Sequence, residues 1–130
     1  MTTTAPDLLG QAITFRNVMS QPVGKFTEEE MDVQLCLIFE EFEEFLEAYR
    51  VAIYTPEDEQ SRIHCLKELS DLIYVSFQFA AAAGWCLDEA LDRVHKSNMS
   101  KLVDGKPLKR EDGKVLKGPA YEPPYLDDLI

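Results

Sequence analysis

Five carboxylates in this 130-residue chain stand at spacings that chemistry can use. Glu40, Glu41 and Glu44 fall in the run EEFEEFLE, and Glu68 and Asp71 in the run KELSDLIYV. On a helix the first three lie within an arc of about 100°. Glu68 and Asp71, three apart, are neighbours on one face. Like charges at such spacings repel, so a cluster of them weakens its helix unless something cationic sits there. An ordinary solvated acidic face accounts for a glutamate run alone. It does not account for Glu68, because Val75 and Phe79 continue the stripe that Glu68 begins. A carboxylate in an apolar setting needs a partner, a metal or a proton. Glu41, Glu44, Glu68 and Asp71 converging from two helices make a hard, all-oxygen site suited to Mg2+ or Mn2+ rather than zinc. Sites of this kind keep waters and take substrate phosphates, which points to metal-assisted hydrolysis of a phosphoanhydride. A di-iron carboxylate bundle needs Glu-x-x-His pairs. Neither His64 nor His95 stands three residues after a glutamate, and both are expected to be structural or solvent-exposed.

The elements that must carry these residues are helices. A short amphipathic piece, roughly Leu8 to Met19, ends in the loop signal SQPVG. Thr27 followed by Glu30 is a capping box, and a long helix is expected from there to about Ile53. Leu35, Ile38, Phe42, Phe45, Tyr49 and Ile53 form an apolar stripe along it. Glu41 lies nearest that stripe and Glu44 next, whereas Glu43 and Glu47 lie further towards the polar face. Thr55-Pro56 closes the helix. A charged loop, Pro56 to Gln60, returns the chain into the stretch from Leu66 to Gly84, which is apolar almost all round and belongs in a core. Gly84 suits the left-handed position that ends a helix. With a short connection the two long helices pack antiparallel. Counting from the turn, Glu41/Glu44 and Glu68/Asp71 fall at similar heights, to within about one turn. A shorter helix, about Leu87 to Ser97, follows, with Leu87, Leu91 and Val94 on one face and Asn98 at its end. The fold class is therefore all-α, a four-helix-bundle-like core with an irregular C-terminal arm. Residues 1–102 form the helical catalytic domain and 103–130 the basic, Pro/Gly-rich arm, packing on the same domain or a neighbouring subunit. The arm holds four of the seven prolines and three of the six glycines, and its LKREDGKVLKG piece reads as a small hairpin turning at Asp112-Gly113.

Composition narrows the partners. The chain carries 24 acidic against 13 basic residues, a net charge of −11. That argues against nucleic acid, whose binding rests on basic patches. A small anionic ligand stays open, because a metal ion inverts the local field. The longest uncharged run, Leu72 to Leu87, is shorter than a bilayer span, and the N-terminus has neither a basic nor an apolar leader region, so no membrane or secretory route is expected. Cys36, Cys65 and Cys86 are expected to be buried free thiols of a cytoplasmic protein. Phe15, Tyr74 and Trp85 are candidates for base stacking, though aromatics at helical spacing more often belong to a core. Self-association, as homodimer or homotetramer, would supply surface for a helix apolar on every side.

EE-x-x-E at Glu40, Glu41 and Glu44, followed after 23 residues by E-x-x-D at Glu68 and Asp71, resembles the MazG-like family of all-α nucleoside triphosphate pyrophosphohydrolases. This superfamily also includes phosphoribosyl-ATP pyrophosphohydrolase, dimeric dUTPase and dCTP pyrophosphatase. The segment VHKSNMSKL followed by DGK looks like its phage and bacterial branch, and the resemblance covers roughly residues 33 to 125. It implies that Glu41, Glu44, Glu68 and Asp71 hold Mg2+ or Mn2+ and that Glu40 orients or deprotonates the attacking water. It also implies that Asn98 and Lys101 reach the sugar and phosphates of a nucleoside triphosphate. Asn98 reads equally as a helix-end cap. The products would be a nucleoside monophosphate and pyrophosphate, in a homo-oligomer of the cytoplasm (the host's, if phage-encoded). A deoxynucleotide, with a slight lean to dGTP, is the expected substrate; dUTP, dCTP and phosphoribosyl-ATP are the alternatives. Outside enzymology the alternative is a helical oligomeric interaction module. The basic stretch from Lys101 through Lys106, Lys109, Arg110, Lys114 and Lys117 suits either a clamp on the triphosphate or a solvated, subunit-bridging tail.

Overall fold

A computed structural model describes residues 5–130, so the first four residues of the N-terminal stretch lie outside the described residues. Four α-helices account for most of the chain: α1 (Leu8–Val18), α2 (Glu28–Tyr54), α3 (Glu59–Ala83) and α4 (Leu87–Met99). Two short strands, β1 (Leu108–Lys109) and β2 (Val115–Leu116), and a 3-10 turn at Asp127–Leu129 follow. The all-α expectation with one small hairpin holds. The chain forms two compact units, Met1–Trp85 and Cys86–Ile130. Among the described residues no helix is long and apolar enough to cross a membrane.

In the first unit local chemistry sets the helix ends. The Asp7 carboxylate accepts from Gly10 N–H at 2.9 Å and starts α1. Thr27 Oγ1 accepts from Glu30 N–H at 3.3 Å and starts α2. The reciprocal half of that capping box is diverted, because Glu30 Oε1 pairs with Arg16 at 2.9 Å. α3 begins at Asp58, whose carboxylate accepts from Gln60 N–H, and ends at Gly84 with φ +83°. There Gly84 and Trp85 N–H both donate to the Ala80 carbonyl at 2.9 Å.

α2 and α3 form an antiparallel hairpin whose inward residues follow a 3-4 repeat. On α2 these are Met31, Gln34, Ile38, Glu41, Phe45, Ala48 and Ala52; on α3, Ser61, Cys65, Glu68, Leu72, Val75, Phe79 and Ala82. This corrects the apolar stripe expected on α2. Ile38 and Phe45 face inward, but Leu35, Phe42, Tyr49 and Ile53 are exposed. The seam uses small and polar residues that a count of large apolar side chains passes over. α3 is likewise not enclosed on all sides. Phe77 and Ala80 to Ala83 are buried, while Leu66, Ile73 and Tyr74 remain exposed because α1 and α2 cover only part of its circumference. The cysteines are free, as expected, but only Cys65 is partly covered. Cys36 lies on the outer face of α2 and Cys86 precedes α4, and both are exposed.

The least expected core residue is Arg16, 1% exposed. Its Nε donates to the Pro22 carbonyl at 2.6 Å, its Nη2 meets Glu30 at 2.9 Å, and its Nη1 donates to Gln78 Oε1 at 3.4 Å. One guanidinium thus joins α1, the 19–27 loop, α2 and α3. Phe15 packs edge-on against Tyr74, and Trp85 sits between Phe26 and Phe79, so the aromatics considered for base stacking pack on one another.

In the second unit α4 carries the chain's end along it. Arg93 bonds both Asp128 oxygens at 2.5 and 3.1 Å and the Tyr125 carbonyl at 3.0 Å. Ser97 Oγ donates to the Glu122 carbonyl, and Glu122 N–H donates to Ser100 Oγ. The hairpin turns at Asp112-Gly113 as expected, with Leu108 opposite Leu116 and Gly113 at φ +89°. The other Asp-Gly pair, 104–105, makes a tighter turn, in which Val103 and Lys106 exchange backbone bonds of 2.7 and 2.9 Å.

Candidate metal centre

The seam of the α2/α3 hairpin places acids where packing alone would want apolar groups. Gln34, Ile38, Glu41, Phe45 and Ala48 share the inward face of α2, so Glu41 is directed at α3 by the same periodicity that buries Ala48. Glu68 holds the corresponding place on α3, between Cys65 and Leu72, and is 6% exposed. Carboxylate oxygens of Glu41, Glu44 and Glu68 all lie within 4.8 Å of one another. Glu41 is half-buried and Glu44 exposed. A cleft of about 240 Å3 opens beside them, lined by Glu44, Glu47, Ala48, Val51, His64 and Glu68.

The electrostatics of this cluster are unfavourable as it stands. Burial and then the nearby Glu44 push the Glu41 carboxyl above its ordinary range, and Asp71 and Glu68 add to the shift. Glu41 Oε2 and Glu68 Oε2 are buried without a hydrogen-bond partner among the described residues. A third such atom, Gln34 Oε1, lies two turns along α2 and outside the cluster. Buried acceptors are normally satisfied. Two orphaned oxygens within one group of three carboxylates fit a hard divalent cation, which would supply what no donor here does.

Of the residues singled out from sequence, the structure brings Glu41, Glu44 and Glu68 together. Asp71 is near enough to act on Glu41 electrostatically, but its Oδ2 is held by Lys67 Nζ at 2.6 Å. Glu40 is exposed on α2 beside the cluster. Asn98 and Lys101 belong to the second unit, Asn98 exposed in the last turn of α4 and Lys101 partly covered just beyond it. Asn98 does not cap the helix, which ends at Ser100. Sequence reasoning passed over Lys67, and it expected His64 to be structural or solvent-exposed without placing it beside the cluster. Lys67 Nζ also lies 3.6 Å from Glu68 Oε1, and the exposed His64 places Nε2 3.7 Å from the same oxygen. Their spacing was the available signal, since His64 precedes Glu68, and Lys67 precedes Asp71, by four residues.

A family model described as phosphoribosyl-ATP pyrophosphohydrolase matches residues 12–98, which run from α1 into the last turn of α4. No curated protein matches the chain.

Proposed function

The chain belongs to the phosphoribosyl-ATP pyrophosphohydrolase family, and from that premise we propose that it is a metal-dependent nucleoside triphosphate pyrophosphohydrolase. Family membership supports a nucleotide pyrophosphohydrolase activity; substrate, metal and residue roles are our reading. The observation that carries it is the pair of unpartnered oxygens, Glu41 Oε2 and Glu68 Oε2, inside a three-carboxylate cluster. In this reading Glu41, Glu44 and Glu68 hold Mg2+ or Mn2+, and Asp71 joins them. When bound, the cation neutralises the cluster and stabilises charge developing on the phosphates.

The chain's own residues do the rest. The α2/α3 seam fixes Glu41 and Glu68 on rigid helices, so the donors are held in place before a ligand arrives. Glu40, solvent-exposed one residue before Glu41, accepts a proton from the attacking water and orients it. The water oxygen forms the new bond to phosphorus, the anhydride P–O bond breaks, and pyrophosphate leaves with the electron pair. Asn98 and Lys101 contact the sugar and phosphates. A deoxynucleoside triphosphate, with dGTP first, dUTP and dCTP next, follows from the likeness of the VHKSNMSKL segment to the MazG-like branch. The family description favours phosphoribosyl-ATP as the second reading. The exposed Leu66, Ile73 and Tyr74 on α3 support assembly as a homodimer or homotetramer, and a cytoplasmic location belongs to the same reading without a structural observation of its own.

The test is pyrophosphate release from a panel of dNTPs, NTPs and phosphoribosyl-ATP with Mg2+ or Mn2+, beside a Glu41→Gln control. Metal-dependent release that vanishes in the control is expected. Folded protein that releases none from any nucleotide would refute the enzyme and leave the interaction module.

A further inference from the structure

The cation proposed above competes for Asp71 with a charge already present. Lys67 Nζ sits 2.6 Å from Asp71 Oδ2 and 3.6 Å from Glu68 Oε1. Among the described residues it is the only lysine or arginine paired with a carboxylate of this group. An ammonium and a divalent cation repel, so they do not share the same carboxylate oxygens. Asp71 is also the acid that stands outside the group of three converging oxygens. The acid outside the group is thus the one that Lys67 holds most closely. The Lys67 side chain is 63% exposed on a flexible four-carbon stem, so it can leave Asp71 without any backbone change. Glu40, Glu43, Glu44 and Glu47 are all exposed and give α2 an acidic stretch, which repels a polyphosphate. A released ammonium beside the cluster offsets that repulsion, and lysine binds phosphate well as a point charge.

We propose that Lys67 serves two partners in turn: the Asp71 carboxylate, with which it pairs here, and the substrate's phosphate chain, which it would contact when Asp71 turns to the metal centre. The inference rests on the pyrophosphohydrolase reading and adds a substrate-binding residue to it. Exchange of partners would free an ammonium for the ligand only when Asp71 has turned to the metal centre.

The experiment uses the full chain as wild type, Lys67→Met and Lys67→Arg. Mn2+ binding is titrated without nucleotide by the electron paramagnetic resonance of the free ion, and pyrophosphate binding by calorimetry in saturating Mg2+. Lys67→Met should bind Mn2+ about three- to tenfold more tightly, the scale of one unit charge acting over a few ångströms at a partly exposed site. The same variant should bind pyrophosphate about three- to tenfold more weakly, and Lys67→Arg should restore both values towards wild type. Unchanged or weaker Mn2+ binding by Lys67→Met, or unchanged pyrophosphate binding, would overturn the exchange while leaving the metal centre standing. Wild-type protein that binds no Mn2+ would remove the metal centre itself, and this inference with it.

Discussion

Replacing Glu41 by glutamine should make the metal-free protein more stable at neutral pH and insensitive to metal. Glu41 Oε2 is buried without a partner, and the carboxyl is pushed above its ordinary range by burial first and by Glu44 next. A buried acceptor left unsatisfied costs about 1–3 kcal/mol, and more when it is charged and fully enclosed. The open cleft beside Glu44 puts this one at the low end, about 1 kcal/mol. The sign follows from linkage. Because the folded-state pKa lies above the unfolded one, the native state binds more protons between them, and wild-type stability falls as pH rises through that window. Below the ordinary carboxylate range both states are protonated, and wild type and Glu41→Gln should melt together. Above the raised value the variant should lead by about 1 kcal/mol, or about 3–6 °C in melting temperature. Adding Mn2+ at a hundred times its dissociation constant should stabilise the wild type by about 2.7 kcal/mol and leave the variant unmoved. Thermal melts in chelator and in Mn2+, at several pH values, check every part. A metal-free variant less stable than wild type at neutral pH would refute the reasoning.

Arg16→Met should lower stability by about 3–5 kcal/mol, read from the denaturant midpoint, because it strands Glu30, Gln78 and the Pro22 carbonyl at once. A loss under about 1 kcal/mol would show that the guanidinium is not what joins the helices. Gly84→Ala should destabilise more than Gly113→Ala, by about 1 kcal/mol or more in chemical unfolding. Both glycines have positive φ, but only at Gly84 would the new Cβ meet backbone, 3.0 Å from Gly24 Cα.

What could be read ahead of the structure was whatever depends on local chemistry. Thr27, Thr55-Pro56, Gly84 and Asp112-Gly113 mark their turns because capping and left-handed backbone are set by the residue itself. The acids Glu41, Glu44 and Glu68 were legible for a related reason, since helical spacing converts directly into angle. Which face of α2 turns inward was not legible. Phe42, Tyr49 and Ile53 outweigh Gln34, Ala48 and Ala52 in any hydrophobicity count, yet close approach to α3 selects the smaller set. Arg16 escaped notice because a charge is expected outside, and its partners Glu30 and Gln78 are distant in sequence. Lys67 escaped because the reading attended to the acids that follow it, Glu68 and Asp71, and weighed no role for the lysine itself.

The hairpin geometry also bears on how the protein folds. Glu44 and Glu68 are separated by only 23 residues, and a tight turn from Thr55 to Asp58 joins their helices. Contacts of such short range are expected to form early, before α1 docks, because little loop entropy is lost in closing them. A cation held between α2 and α3 would then bind the folding transition state nearly as well as the native state. Its effect would fall on the refolding rate, with unfolding hardly slowed. The acid cluster, loaded before substrate in function, would also gain from its cation before the native fold is complete.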